Sequence, residues 1–210
     1  LSIQYPDYAV WQKKQTIKSQ DLEYWKNQLS GELPLLALPT DYPRAKQPSF
    51  LGTTLSRKLS KELSTQIGQM AKDLSTTPFV LLLAAFKVLL YRYTQQTDLL
   101  VGSPFANRDK VALEKLIGFF NETVVLRTQL EGAWSFEDLV NKIKATTLDA
   151  LAHKNLPFDE LVRVLQPERH GSANPILQVM FLYNKAGTES YQDLDLRIEE
   201  TSYDLGVSKF

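Results

Sequence analysis

An α/β fold, a two-layer sandwich of a mixed β-sheet and helices, is the class that the sequence predicts, on three observations. Capped helical patterns alternate along the chain with short apolar runs of strand character. The run Ile176 to Tyr183, ILQVMFLY, is apolar on both faces apart from Gln178, which suits a strand in the middle of a sheet covered by helices. The run opened by Thr77 and Pro78 is apolar almost all round, which suits a central helix. No internal repeat, low-complexity tract or clear domain boundary interrupts the 210 residues, so one lobe is expected.

Taken in order, Ser19 is placed to cap a helix in which Leu22, Trp25 and Leu29 share a face, and Gly31 is placed to end it. Four prolines between Pro34 and Pro48 make the next stretch an extended surface connector, apolar at its start. Leu51, Thr53, Leu55, Arg57 and Leu59 alternate, predicting a strand with one buried face. Ser60 caps a helix with Leu63, Ile67, Met70 and Leu74 in one stripe. Thr77 and Pro78 supply a capping oxygen and a residue that needs no amide partner. Their helix leaves through Arg92 and Thr94-Gln95-Gln96-Thr97 into a short strand, Asp98 to Gly102, and then a loop, SPFANRDK. Ser135 and Asp138 form a capping box for a helix that turns Phe136, Leu139, Val140 and Ile143 inward. Asn155-Leu156-Pro157 announces another, with Phe158, Leu161, Val162 and Leu165 at i, i+3, i+4 and i+7. Leu194, Leu196 and Ile198 alternate with Asp195, Arg197 and Glu199, predicting a strand with one face to water.

The totals exclude several classes. Lys plus Arg equals Asp plus Glu at 24 each, so no global field draws the chain to nucleic acid or anionic lipid. Without cysteine there is no disulfide, thiolate metal site or thiol nucleophile, which fits a reducing, cytoplasmic address. Two histidines, His153 and His170, leave no material for a multi-histidine metal site. Tyr5-Pro6-Asp7-Tyr8 interrupts any signal-peptide core. The most apolar stretch, FVLLLAAFKVLLY, is shorter than the ~20 residues that span a bilayer and contains Lys87. The chain starts at Leu1 and stops at Phe210 without an obvious end signal, which suggests a piece of something longer.

No G-x-x-x-x-G-K-S/T, G-x-G-x-x-G or G-x-S-x-G pattern is present. His153 has two readings: a general base, or a helix C-terminal histidine meeting the macrodipole or a loop carbonyl. His170 lies in a polar turn and suits the surface. The pairs Asp159-Glu160 and Glu199-Glu200 suit a helix first turn and a solvent-facing strand better than acid/base chemistry. One stretch stands out. In IGFFNETVVLR, residues 117–127, two adjacent polar residues interrupt a run otherwise suited to burial. That arrangement fits an apolar loop feeding a strand from Thr123 to Leu130, with Glu122 where the chain changes direction.

Several loops, in order, resemble motifs of the condensation domains of non-ribosomal peptide synthetases. Tyr5-Pro-Asp-Tyr-Ala-Val-Trp11 resembles Y-x-D-F/Y-A-x-W, and Tyr24-Trp25 to Leu38-Pro39-Thr40-Asp41 follows as it does there. Val101-Gly102-Ser103-Pro104 to Asn107-Arg108 fits V-G-x-P-x-A-N-R. Ile117-Gly118-Phe119-Phe120-Asn121-Glu122-Thr123 resembles I-G-x-F-V-N-T, and His153-Lys-Asn-Leu-Pro-Phe-Asp159 resembles H-Q-D-x-P-F-E. Asn174 to Phe181 resembles N-P-L-F-Q-V-M-F. The resemblance covers nearly the whole chain.

That resemblance implies a chloramphenicol-acetyltransferase-like lobe, one of two that flank a tunnel. Carrier domains would bring acyl and aminoacyl thioesters on 4′-phosphopantetheine arms to its two ends, and an amide would form between them. The family's H-H-x-x-x-D-G motif has no counterpart here, since no His-His occurs. The resemblance therefore implies the C-terminal lobe across residues 1–210, inactive alone and inclined to self-associate through the face left open. Its expected partners are two carrier domains, the N-terminal lobe and an adenylation domain; it would bind no cofactor directly. Trp11, Gly118, Asn121 and Glu122 are the expected substrate-channel residues. His153, Asn107, Arg108 and Asn174 are expected in supporting roles.

Two departures from the family pattern stand out. Asn121-Glu122-Thr123 replaces V-N-T, so a carboxylate stands where the family has an amide. It would hold a cationic or amine-bearing acceptor, bias which acyl chain fits, or be a solvated loop residue; if buried it should be solvated, paired or protonated. His170-Gly171-Ser172-Ala173-Asn174-Pro175 replaces D-x-S-R-N-P and lacks its acid and its arginine. The alternatives on the same scaffold are an epimerisation or ester-forming domain and an inactive partner-recruiting domain.

Overall fold

A computed structural model describes residues 3–43, 45, 47, 49–168, 171, 173–184 and 205–208. Its elements are α1 (Tyr5–Lys14), α2 (Ser19–Gln28), α3 (Lys61–Asp73), α4 (Pro78–Thr94), β1 (Asp98–Ala106), α5 (Val111–Glu114), β2 (Asn121–Gln129), α6 (Phe136–Ala152) and α7 (Phe158–Leu165). His170 and the alternating segment 194–198 lie outside the described residues.

β1 and β2 form an antiparallel pair whose register runs from Asp98 opposite Gln129 to Ala106 opposite Asn121. On the other edge of β1, Gly102 N donates to Val179 O at 3.1 Å and Phe181 N donates to Gly102 O at 2.8 Å. That parallel bridge between Gly102 and Met180 makes the sheet mixed. Glycine suits the close approach, because a Cβ on residue 102 would lie 2.8 Å from Leu177 Cδ1 and push that buried side chain aside. The segment 176–183 is therefore an edge bridge among the described residues, not the central strand expected. Asn174 Oδ1 holds Ile176 N and Leu177 N in a turn at 3.0 and 2.9 Å. Gln178 is drawn away to Asn174 O at 2.6 Å and Leu36 N at 3.0 Å.

Local capping chemistry sets the helix starts as the sequence predicts. Ser60 Oγ accepts from Leu63 N, Thr77 Oγ1 from Val80 N, and Ser135 and Asp138 close their box in both directions. Ser19 differs: it is the first residue of α2, and Lys18 takes the capping position without a side-chain bond. Gly31 follows that helix at φ +75°, a conformation glycine takes without strain. The helices α4 and α6 pack on each other and on the strand pair, giving the expected second layer. Their shared core includes Leu83, Ala84, Val101, Val125, Val140 and Ile143, all fully or almost fully buried.

Three expectations about strands are corrected. β1 continues through Ser103 to Ala106, in place of the expected loop. β2 begins at Asn121, so Asn121 and Glu122 are strand residues rather than a loop. The ladder even extends one step further, with Asn107 N donating to Phe120 O at 2.7 Å. Leu51 to Leu59 forms no strand: Leu51 bridges Val207, and Leu51, Leu55 and Leu59 are exposed at 78%, 78% and 57%. Alternation sorts side chains to two sides, but among the described residues no neighbouring chain follows 53–59. On α3 the stripe is also shallower than expected, since Ala71 is buried while Leu63 and Met70 are largely exposed.

Lys87, in the middle of α4, is 0% exposed. Its Nζ donates to Leu126 O and Thr128 Oγ1, both at 2.7 Å. Burial pulls its pKa from the usual 10.5 down to about 7, with Asp98 acting in the opposite direction. A depressed lysine means that the unfolded chain binds the extra proton between about pH 7 and 10.5, so stability rises with pH across that window. The full contribution is several kcal/mol. Thermal unfolding followed from pH 7 to 10 should show this rise, and Lys87→Met should flatten it.

Candidate functional site

Helix α1 begins with a capping box, in which Gln4 N donates to Asp7 Oδ2 at 2.8 Å and Pro6 occupies the first turn. The sequence pattern does not announce this helix, because it has little amphipathic character. What anchors it is a satellite cluster of Tyr8, Leu113, Leu116 and Phe120, flanked by Ile3 and Tyr5, separate from the main core. Tyr5 meets Phe120 edge-on at 5.3 Å, and Tyr8 lies 4.8 Å from Phe120 between ring centres. Tyr8 is the buried anchor. Trp11 stays 41% exposed, beside Tyr8 at 5.8 Å and beneath Lys110 Nζ at 3.7 Å.

The loop between β1 and β2 is held from inside by Arg108. Its guanidinium lies 4.1 Å over the Phe120 ring, while Nη1 donates to Leu113 O at 2.5 Å and Leu116 O at 2.7 Å. A lysine has neither the planar fork nor the stacking face for this arrangement. Asn107 contributes its backbone amide at the neck of the loop. Gly118 is where α1 makes its closest approach: a Cβ there would stand 2.2 Å from Tyr5 Cδ2. Close approach, not a positive φ, is what requires glycine. Next to it, Tyr5 Oη donates to Phe119 O at 3.0 Å.

Glu122 is half-buried at the start of β2, opposite Phe105. Its Oε1 accepts from Gln12 Nε2 on α1 at 2.9 Å. Burial raises its pKa above the ordinary carboxylate range; the Gln12 bond lowers it, and Asp159 at the start of α7 raises it. The same carboxylate, after burial, raises the Tyr8 phenol. Glu122 is thus paired with a neutral amide and pressed by a second acid, with no cation bonded to it among the described residues. Asn121 stands exposed beside it, opposite Ala106.

Of the expected residues, Trp11, Gly118, Asn121, Glu122, Asn107 and Arg108 come together around this loop. His153 is the C-terminal cap residue of α6. Its Nδ1 lies 2.7 Å from Asp21 Oδ1, its ring stacks on Tyr24 at 4.3 Å, and its carbonyl accepts from Trp25 Nε1 at 2.8 Å. Burial, then Asp149, pushes the Tyr24 phenol up to about 12. The neighbouring Lys154 reaches Asp109 at 2.7 Å and so joins this turn to the loop. Asn174 caps its own turn, as described above. Among the described residues no group of acids and histidines is arranged to hold a metal.

Sequence reasoning misses Gln12 and Arg127. Arg127 reads as an ordinary strand position, yet it binds Asp98 Oδ2 at 2.6 Å and reaches the carbonyls of Gln28, Ser30 and Glu32. The signal available was the lone cation of the strand, directly after the apolar run Val124 to Leu126. Gln12 gave no signal, since its partner lies far away in the sequence. Gly118→Ala should force the Tyr5 ring off the loop, at a cost of about 1–3 kcal/mol. Thermal unfolding should register the loss, and limited proteolysis should cut the α1 segment faster.

Comparison with known proteins agrees with this architecture. A family model described as condensation domain matches residues 1–210. Gramicidin S synthase 2 of Brevibacillus brevis is 36% identical over 99% of this chain, which spans 5% of that protein. Surfactin synthase subunit 2 of Bacillus subtilis is 39% identical over 99% of the chain and 6% of its own length. Among solved structures, a four-domain nonribosomal peptide synthetase bound to AMP and glycine superposes with a TM-score of 0.82 at 26% identity, over 87% of this chain and 14% of that one. The X-domain from teicoplanin biosynthesis gives 0.77 at 26% identity, over 86% of this chain and 42% of that one. The expected chloramphenicol-acetyltransferase-like architecture is thereby met, and the chain belongs to the condensation domain family of nonribosomal peptide synthetases.

Proposed function

We propose that residues 1–210 are the C-terminal lobe of an amide-forming condensation domain, and that α1 with the start of β2 forms a wall of its reaction channel. The observation that carries this reading is convergence. Motif segments far apart in sequence meet at one end of the molecule: Tyr5 on Phe119, Gln12 on Glu122, Asp159 acting on Glu122, and Lys154 on Asp109.

In this reading the acceptor amine attacks the donor thioester carbonyl, the C–N bond forms, and the thiolate of the donor arm leaves. The imidazole that handles the proton belongs to the other lobe, in keeping with the absence of His-His in this sequence. Both acyl groups arrive on 4′-phosphopantetheine arms of carrier domains, in a cytoplasmic assembly with an adenylation domain. This lobe orients and selects. Glu122, a carboxylate bonded among the described residues to one amide, favours an acceptor that presents a cation or an extra donor.

A second reading is a lobe that recruits a partner without catalysis. It is favoured by the likeness to the teicoplanin X-domain, which has been solved in complex with OxyB and aligns at TM-score 0.78 and 26% identity. Activity of the complete domain separates the two.

Three outcomes are expected. In the complete synthetase, Glu122→Asn should shift the ratio of kcat/KM between amine-bearing and neutral acceptors by about tenfold. Unchanged ratios across a substrate panel would remove Glu122 from the channel. Residues 1–210 alone should form no amide in single-turnover assays with loaded carriers. Sedimentation should show self-association, because Val111, Ile117 and Phe119 project from the loop at 81%, 94% and 73% exposure.

A further inference from the structure

Lys87 presents an energetic puzzle. A buried amine costs the fold free energy, and an apolar side chain of similar volume in its place is commonly neutral or stabilising. Its directional bonds are therefore the part an apolar residue cannot copy. The two acceptors, Leu126 O and Thr128 Oγ1, stand two residues apart on β2, each 2.7 Å from the same nitrogen. One step along a strand is ~3.3 Å, so a slide of α4 by one such step would break both bonds. Leu83, Ala84 and Leu90 on the same helix impose no such setting, because apolar attraction is non-directional.

That setting has a consequence at the other end of the helix. Phe79, in the first turn of α4, meets Phe105 edge-on at 5.4 Å, and Phe105 is the register partner of Glu122. Phe79 and Phe86 also hold Phe181, at 5.6 and 5.7 Å, on the outer side of β1. Where α4 lies along the sheet thus fixes what supports the strand ends that face α1.

We propose that Lys87 is a positioning residue: its two hydrogen bonds set α4 along β2 and so hold the strand end carrying Asn121 and Glu122 in line with Gln12 of α1. The functional half of this inference rests on the reading of that strand end as channel wall; the structural half does not. The lowered proton affinity of Lys87 agrees with a nitrogen held in place by acceptors rather than by a counter-charge. Asp98, the carboxylate that acts on it, is itself engaged by Arg127.

The test uses the complete synthetase with Lys87→Met and Thr128→Val. Hydrogen exchange is read at the amides of 121–129 and 5–14, alongside acceptor KM and kcat. In Lys87→Met, exchange at the start of β2 and in α1 should quicken at least tenfold with Tm unchanged or higher. Acceptor KM should rise several-fold, and more than kcat falls. Unchanged exchange in that variant overturns the proposal. Should Lys87→Met fail to fold, Thr128→Val, which removes one acceptor and keeps the lysine, decides: faster exchange at the strand end supports positioning, and unchanged exchange overturns it. Faster exchange with unaltered kinetics keeps the positioning role and discards the channel reading instead.

Discussion

The antiparallel ladder of β1 and β2 is the constraint from which the other parts take their positions. Because its register ends at Ala106 opposite Asn121, the loop between the strands must leave and return at one spot. Arg108 and Phe120 then close that loop on itself, and α1 docks on the aromatic surface so made. The opposite end of the ladder is fastened differently. There Asp98 and Arg127 clamp the C-terminal turn of α2, whose Trp25 meets the end of α6 through the His153 carbonyl. One hairpin thus carries a structural end and the end that holds the candidate site.

Polar groups do much of this fastening, and their burial is tolerated because each is bonded. Arg127 spreads its fork over a carboxylate and main-chain carbonyls, which satisfies α2 where its own ladder stops. Asp21, buried in α2, takes His153. Lys87 has two acceptors. Glu122 differs, since a half-buried carboxylate with one amide partner and an acid nearby is under-satisfied by comparison. Groups in that condition recur where proteins bind something, for the same reason that they are costly when left alone.

Legibility in the sequence followed the range of the forces. Caps act over three residues, and Ser60, Thr77 and Ser135 start their helices as their residue types foretell. The strongly apolar helix α4 packs against α3, α6 and β1, yet it keeps one side open at Ala85, Leu89 and Tyr93. Strand pairing acts over long separations. The alternation from Leu51 to Leu59 could not say whether a neighbour exists, and the apolar run at 176–183 could not say which edge it would meet. The site was half legible. Two polar residues inside a greasy stretch drew notice to the start of β2, and family motifs drew notice to the loops that gather beside it. Neither could show that Gln12, far upstream, would be the partner of Glu122.

The packing of Tyr5 onto Gly118 carries a lesson for recombining such synthetases. The first helix and the bend before β2 fit each other like mortise and tenon, with clearance too small for even one added methyl. Parents that differ at either piece should not be spliced between residues 15 and 116, where a junction would marry one parent's tenon to the other's mortise. Swaps that carry both pieces from a single parent keep the joint intact.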